Sequence, residues 1–348
     1  MSLRMSRARS LLVILLALLL AAAAAAWWEF GRDRQSRFEA AVGLLPTSTL
    51  RVTWTDWTAV RDELKPTVDS PSFDGAAFDA DLSSASALAS SAEAISGHLG
   101  FDLRRVDWEV FGQSKAGAVV IVKLGSQAGP SLTDAWRRLG YAAPRRDPES
   151  GGVWQGTDAL SAAGALVGTP MVNLALLADR GLLLGSDSAN YLADAVKVAQ
   201  GRVKGLSLGP AGAALADPTA AVVLRGGQAC SALAMARGDD GVRQQAEALI
   251  EQAGGVAPIT TYIAALLPEA RIGFVFDHED SGQARRDLRS RVALATANDP
   301  GQMVSYLDLF TIDHAETQET ITVLTGSARD ASYPLSNTTS GPVLLAAC

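Results

Sequence analysis

Eighteen consecutive residues carry no charge, from Leu11 to Trp28, and three arginines with no acid among them (Arg4, Arg7, Arg9) come just before. As a helix the run would rise roughly 27 Å, close to the hydrocarbon thickness of a bilayer. It opens on Leu, Val and Ile, passes through Ala21 to Ala26 and closes on Trp27 and Trp28. Basic residues ahead of an apolar span keep their flank in the cytoplasm, and indole rings favour the headgroup layer. The expected layout is a basic cytoplasmic tail (1–10), a transmembrane signal anchor (11–28), a stalk (29–45) and an extracytoplasmic remainder. Small residues such as Ala24 and Ala26 leave a second reading open, a signal peptide cut there and a released chain. No Cys lies near the run, which excludes anchoring through a lipid-modified Cys.

Charge narrows the partners. The net charge is −7, and setting aside Arg4, Arg7 and Arg9 leaves −10 for the exported part. An acidic surface without a Lys/Arg cluster suits neither nucleic acid nor anionic lipid headgroups. The partners expected are the membrane, through residues 11–28, and an envelope protein, polymer or lipid. The two cysteines, Cys230 and Cys348, would face an oxidising compartment, where an even pair is expected to be bridged. In the chain-entropy model such a long loop is worth ~4 to 5 kcal/mol. The alternative is two buried thiols.

The pattern along the chain predicts an α+β fold with antiparallel sheets covered by helices. Residues 49–57 (TLRVTWTDW) alternate as a half-buried strand, and TAVRDELK after them has helical spacing up to Pro66. Small-residue helices are expected within 67–99, and strands at 107–111 and 116–124. A helix follows Pro130, and a hairpin turns at Asp179-Arg180-Gly181. An amphipathic helix runs from Ser188 to Gln200. The order then restarts, with TAAVVLRGG answering to TLRVTWTDW, RIGFVFDHE to AGAVVIVKL, and SGQARRDLRSRV to SLTDAWRRLGY. The hairpin answers to residues 306–324, with its turn expected at Ala315-Glu316-Thr317. Helices are expected at 228–236, 241–253 and 259–267, a loop at 326–341, and a last strand at PVLLAAC. This suggests two duplicated halves, 46–205 and 206–348, with a linker near 201–215. A chance repeat of the same order is the alternative.

Chemistry is sparse. His278 and His314 both follow an aspartate at an expected strand end, in Asp277-His278-Glu279 and Asp313-His314-Ala315-Glu316. If those ends were neighbours, His278, His314, Asp277 and Asp313 could hold Zn²⁺ or Mn²⁺. Acids are also common at such positions simply because they are solvated. Asp56-Trp57 and Asp107-Trp108 pair an acid with an indole, a combination suited to sugar rings, although Trp at a strand edge more often packs. Gly226-Gly227 after a strand lacks the rest of a phosphate-binding motif, so a tight turn is the simpler reading. No nucleophile motif occurs in a strand-turn-helix context.

The stretches LPTSTLRVTWTDWTAVRDEL and RGLLLGSDSANYLADAV resemble uncharacterised actinobacterial membrane-anchored exported proteins. The resemblance follows the general layout and implies an address. It brings no activity and no catalytic residues.

The function expected first is a non-catalytic, cofactor-free cell-envelope module that binds a protein or polymer. The alternatives are a carrier of an apolar ligand, walled by small-residue helices at 74–99 and 159–168, and a metal-dependent hydrolase using His278 and His314. The full chain is expected to stay in the membrane fraction after a carbonate wash. Recovery of a soluble chain beginning near Trp27 would decide for cleavage.

Overall fold

Strands rich in Val, Ile, Leu and aromatic residues build the centre of the molecule. The computed structural model describes residues 36–127, 129–156 and 168–348. The basic tail, the membrane run and most of the 159–168 segment lie outside the described residues. Among the described residues no helix is long and apolar enough to cross a membrane. The unit considered below is Phe38–Cys348.

In chain order the first half contributes β1 (Arg51–Thr55), β2 (Trp108–Gln113), β3 (Ala118–Lys123), β4 (Trp154–Gln155), β5 (Asn173–Leu177) and β6 (Leu182–Ser186). The second contributes β7 (Ala220–Arg225), β8 (Thr261–Leu267) and β9 (Arg271–Asp277). A small ribbon, β10 (Asn298–Asp299) and β11 (Val304–Ser305), precedes β12 (Phe310–Gln318) and β13 (Ile321–Ala328). Eleven strands of the described residues form one antiparallel sheet in the order β12-β13-β9-β8-β7-β1-β2-β3-β6-β5-β4. The fold is therefore α+β around one large antiparallel sheet. The strands expected in separate sheets share a single one, because β1 pairs with both β2 and β7. Thr53 stands opposite Phe111 on one side and Val222 on the other. Outward from the β1–β7 pair both arms keep one order, β1-β2-β3-β6-β5 and β7-β8-β9-β13-β12.

Alternation sends side chains into two apolar layers. Val52, Trp54, Val110 and Ile121 face one layer, covered by the helices Arg37–Val42 and Ala189–Ala199. Val120, Val122, Val222 and Phe274 face the other, covered by helices that include Trp57–Glu63, Phe73–Asp79, Ala92–His98 and Pro130–Leu139. Both layers draw on both halves of the chain. Phe38, Ala41, Val42 and Leu45, placed in the stalk by sequence, are buried in the first layer. So are Leu206, Leu208, Ala211 and Leu215 of the expected linker.

Several elements differ from expectation for identifiable reasons. Residues 261–267, expected helical, are β8; all seven are buried, and burial on both faces erases the period-two signal. The second hairpin turns at Glu319-Thr320 rather than at Ala315-Glu316-Thr317, with Glu319 in the left-handed region (φ 51°). The loop expected at 326–341 contains the helix Pro334–Thr339. The last segment is a 3₁₀ turn, Leu344–Ala346, and not a strand, since its backbone is taken up by side chains. Arg291 Nη1 donates to the Leu345 carbonyl at 2.7 Å, and Asp299 Oδ2 accepts the Leu344 amide at 2.8 Å.

Cys230 and Cys348 form the expected disulfide, 118 residues apart, with Cα atoms at 5.5 Å. The bridge ties the buried C-terminal turn to the helix Gly227–Ser231 after β7. Replacing both cysteines by serine should lower the unfolding free energy by about 2–4 kcal/mol in denaturant titration. A loss below about 0.5 kcal/mol would show that side-chain anchoring alone holds the terminus.

Candidate ligand groove

The predicted site residues are not gathered. His278 is buried just past β9, with Nδ1 3.0 Å from the Pro258 carbonyl and Nε2 3.3 Å from Asp287 Oδ2. Burial lowers its pKa, and the Pro258 carbonyl and Asp287 act against that. His314 is exposed on the edge strand β12, opposite Thr325, with Nε2 3.6 Å from Glu316. The backbone of His278 pairs with Thr320, so the two histidines stand five residues apart along the sheet, roughly 17 Å. Asp277 accepts the Thr320 hydroxyl at 2.8 Å, and Asp313, at a bulge, accepts the Ser327 hydroxyl at 2.9 Å. Among the described residues no group of three or more His, Cys, Asp or Glu is placed to hold a metal ion.

The two Asp-Trp pairs also part. Trp108 packs on Trp54 at 5.6 Å against the first layer, whereas Trp57 is buried in the second. Gly226, in the left-handed region (φ 54°), makes the tight turn before a short helix.

His278 belongs to a buried ionic cluster that sequence reasoning missed. Asp287 Oδ2 accepts from Arg291 Nε at 2.6 Å, and both side chains are fully buried. Arg291 also donates to the Leu345 and Ala257 carbonyls and lies 4.5 Å from the Phe276 ring centre. The signal was present as an acid and a base four residues apart on one helix. What that spacing omits is the burial, which turns a marginal surface pair into a structural clamp.

A groove lies over β2, between the helix Phe73–Asp79 and residues 83–92. It encloses about 290 Å³. Small side chains make the walls, Ala77, Ala89 and Ala92 with four serines, and Trp57 lies at the base. The rim carries Phe78, a large apolar residue 62 % exposed, whose ring centre is 5.8 Å from that of Tyr333.

Local chemistry explains how these parts are held. Asp56 caps the helix Trp57–Glu63 by accepting the Ala59 amide at 3.0 Å, which fixes Trp57 at the first helical position. Asp81, in the left-handed region (φ 60°), accepts the Leu335 and Ser336 amides at 2.7 and 3.0 Å. It thereby pins the end of one groove wall to the helix Pro334–Thr339. Under the groove Glu109 projects from β2 with no exposed surface to speak of (1 %). Its Oε1 accepts the Ala87 amide at 2.7 Å. Its Oε2 accepts the Ser86 hydroxyl at 2.7 Å and, more weakly, the Trp57 indole N–H at 3.4 Å. Burial pushes its pKa up to about 7, against the pull of those donors. Glu109 was invisible in sequence as anything but a polar residue in a strand, because its partners lie about twenty and fifty residues away.

Arg291→Ala would leave Asp287 buried without its cation, and the unfolding free energy should fall by about 3–5 kcal/mol. Converting the pair together, Asp287→Leu with Arg291→Met, should recover most of that loss in the same denaturant titration. A single variant as stable as wild type would mean that the pair is not buried. The chain matches no protein-family model, no curated protein and no solved structure.

Proposed function

We propose that the chain is a non-catalytic binding module of the cell envelope, anchored by residues 11–28, and that its ligand occupies the groove over β2. The observation that carries this reading is the groove itself, near the lower size limit of small-molecule sites and mainly apolar in its walls. Alanine and serine walls leave room that larger residues would fill. The exposed Phe78 beside Tyr333 adds apolar surface where an entering ligand would first touch. The ligand class that fits is a small molecule with an apolar body and a few hydrogen-bonding atoms to meet the serines. The disulfide supports an extracytoplasmic setting, since such bridges persist in oxidising compartments. The matching strand order of the two arms supports an origin by duplication of one half.

The test uses a neutral apolar reporter, N-phenyl-1-naphthylamine, and the full chain. Wild type should bind it saturably with a fluorescence increase. Ala89→Trp and Ser90→Trp, which place indoles into the groove from partly and fully exposed positions, should each weaken binding at least about tenfold, a change of ~1.4 kcal/mol. Thermal unfolding at an unchanged midpoint would certify the fold. Undiminished binding in both variants would move the site elsewhere.

A further inference from the structure

We infer that Glu109 is a proton-operated latch of the groove: ionised, it holds Trp57 and residues 86–88 against the sheet; protonated, it lets go of the Trp57 indole. The inference rests on the groove being the ligand site.

Among the described residues no cation pairs with the buried Glu109 carboxylate. Among the described residues, what approaches it are N–H and O–H donors from two separate groove elements, the 86–88 wall and the helix that begins at Trp57. The wall depends on it twice over. The Ser86 hydroxyl that donates to Glu109 also accepts the Leu88 and Ala89 amides, at 3.1 and 2.9 Å. Apart from Asp74, which lines the groove and interacts with Arg104, the charged groups on the surrounding elements are turned to other partners. Arg61 donates to the Arg104 and Val106 carbonyls, with Asp62 and Asp107 among its charge partners. Asp56 caps its helix, Glu63 accepts the Thr219 hydroxyl, Lys123 donates to the Arg180 carbonyl, and Asp81 caps the helix at Pro334. From β3 the neighbour is Val122, and from β1 it is Thr55. No side chain facing Glu109 therefore neutralises its charge, and its ionisation is decided by solvation and donors alone.

The protonated state has a ready partner as well. A carboxylic O–H on Oε2 can donate to Ser86 Oγ, 2.7 Å away, after that hydroxyl rotates. The Trp57 N–H is a donor only, so a proton on Oε2, which takes the charge and one lone pair from that oxygen, weakens a bond already long at 3.4 Å. The proton comes from solvent as the wall opens, and one carboxylate plus one proton give one carboxylic acid. A value near 7 places the exchange at neutral pH. The sign follows from the raised value. Relative to an ordinary carboxyl, folded Glu109 prefers its proton, so its contribution to stability is full below the usual carboxylate range and is lost as pH rises through about 7. Above that, the ionised form is tolerated because the donors offset its desolvation.

The experiment follows the indole N–H signals of the ¹⁵N-labelled full chain between pH 5.5 and 8.5 without any ligand, the Trp57 signal being the one missing in Trp57→Phe. The Trp57 signal should move with a midpoint near 7 and should stay fixed in Glu109→Gln. Ser86→Ala, which removes a donor to the ionised form, should raise that midpoint by ~0.5 or more and serves as the second variant if Glu109→Gln does not fold. Affinity for N-phenyl-1-naphthylamine should fall at least threefold from pH 8 to pH 6 in wild type. A Trp57 signal indifferent to pH, or one that titrates unchanged in both Glu109→Gln and Ser86→Ala, overturns the latch. Because the titration needs no ligand, the latch can fail while the reporter still binds, and the groove can fail while the latch still titrates.

Discussion

The ladder between β1 and β7 is the contact on which the rest of the molecule depends. It makes one sheet from strands of two chain halves, and each apolar layer is then assembled from both. Neither half closes a layer by itself, because the residues that bury Val222 and Ala220 come from the same cluster as those that bury Val120 and Val122. Side chains reinforce the seam. Trp54 Nε1 donates to the Pro218 carbonyl at 2.7 Å, and Arg225 Nη1 donates to the Thr49 carbonyl at 3.0 Å. A continuous sheet of this length keeps its edges safe in two ways. Among the described residues one end finishes on a two-residue strand, and the other on β12, whose bulge and acids Asp313 and Glu316 discourage further pairing.

Buried charge is used in two ways in this fold. Asp287 and Arg291 form a pair whose components satisfy one another and the backbone around them, so the cluster works as a clamp on the C-terminal turn. Among the described residues Glu109 has donors but no counter-ion, so its charge stays conditional on pH. The first arrangement resists change and sits with the disulfide. The second sits under the groove, where it accepts from two separate elements. A conditional charge at a junction of that kind links protonation to the shape of the space above it.

Sequence patterning carried a good deal of this architecture. The strand at Ala118–Lys123, the hairpin about Gly181, the helix capped by Ser188 and the helix opening at Pro130 all follow from local rules, since alternation, caps and turn residues act over a few positions. At β8 and in the last segment, burial on all sides makes an apolar run uninformative about its conformation. The site was less legible than the fold. His278 and His314 drew notice because histidine is scarce, yet register separates them. Glu109 drew none, because a carboxylate acquires its character only from distant donors.

By itself the sequence determined the composition of the strands, the restart of their order near residue 216, the uncharged run at 11–28 and the presence of two cysteines able to pair. These are properties of neighbours along the chain or of counts. Tertiary structure alone decided that the two sets of strands share one sheet. It also decided that the stretch from Phe38 to Leu45 is core rather than stalk, and that a groove walled by alanines and serines lies over a buried glutamate. The reason is physical. Burial, desolvation and hydrogen-bond satisfaction are set by residues brought together across many intervening positions, and no local pattern encodes them.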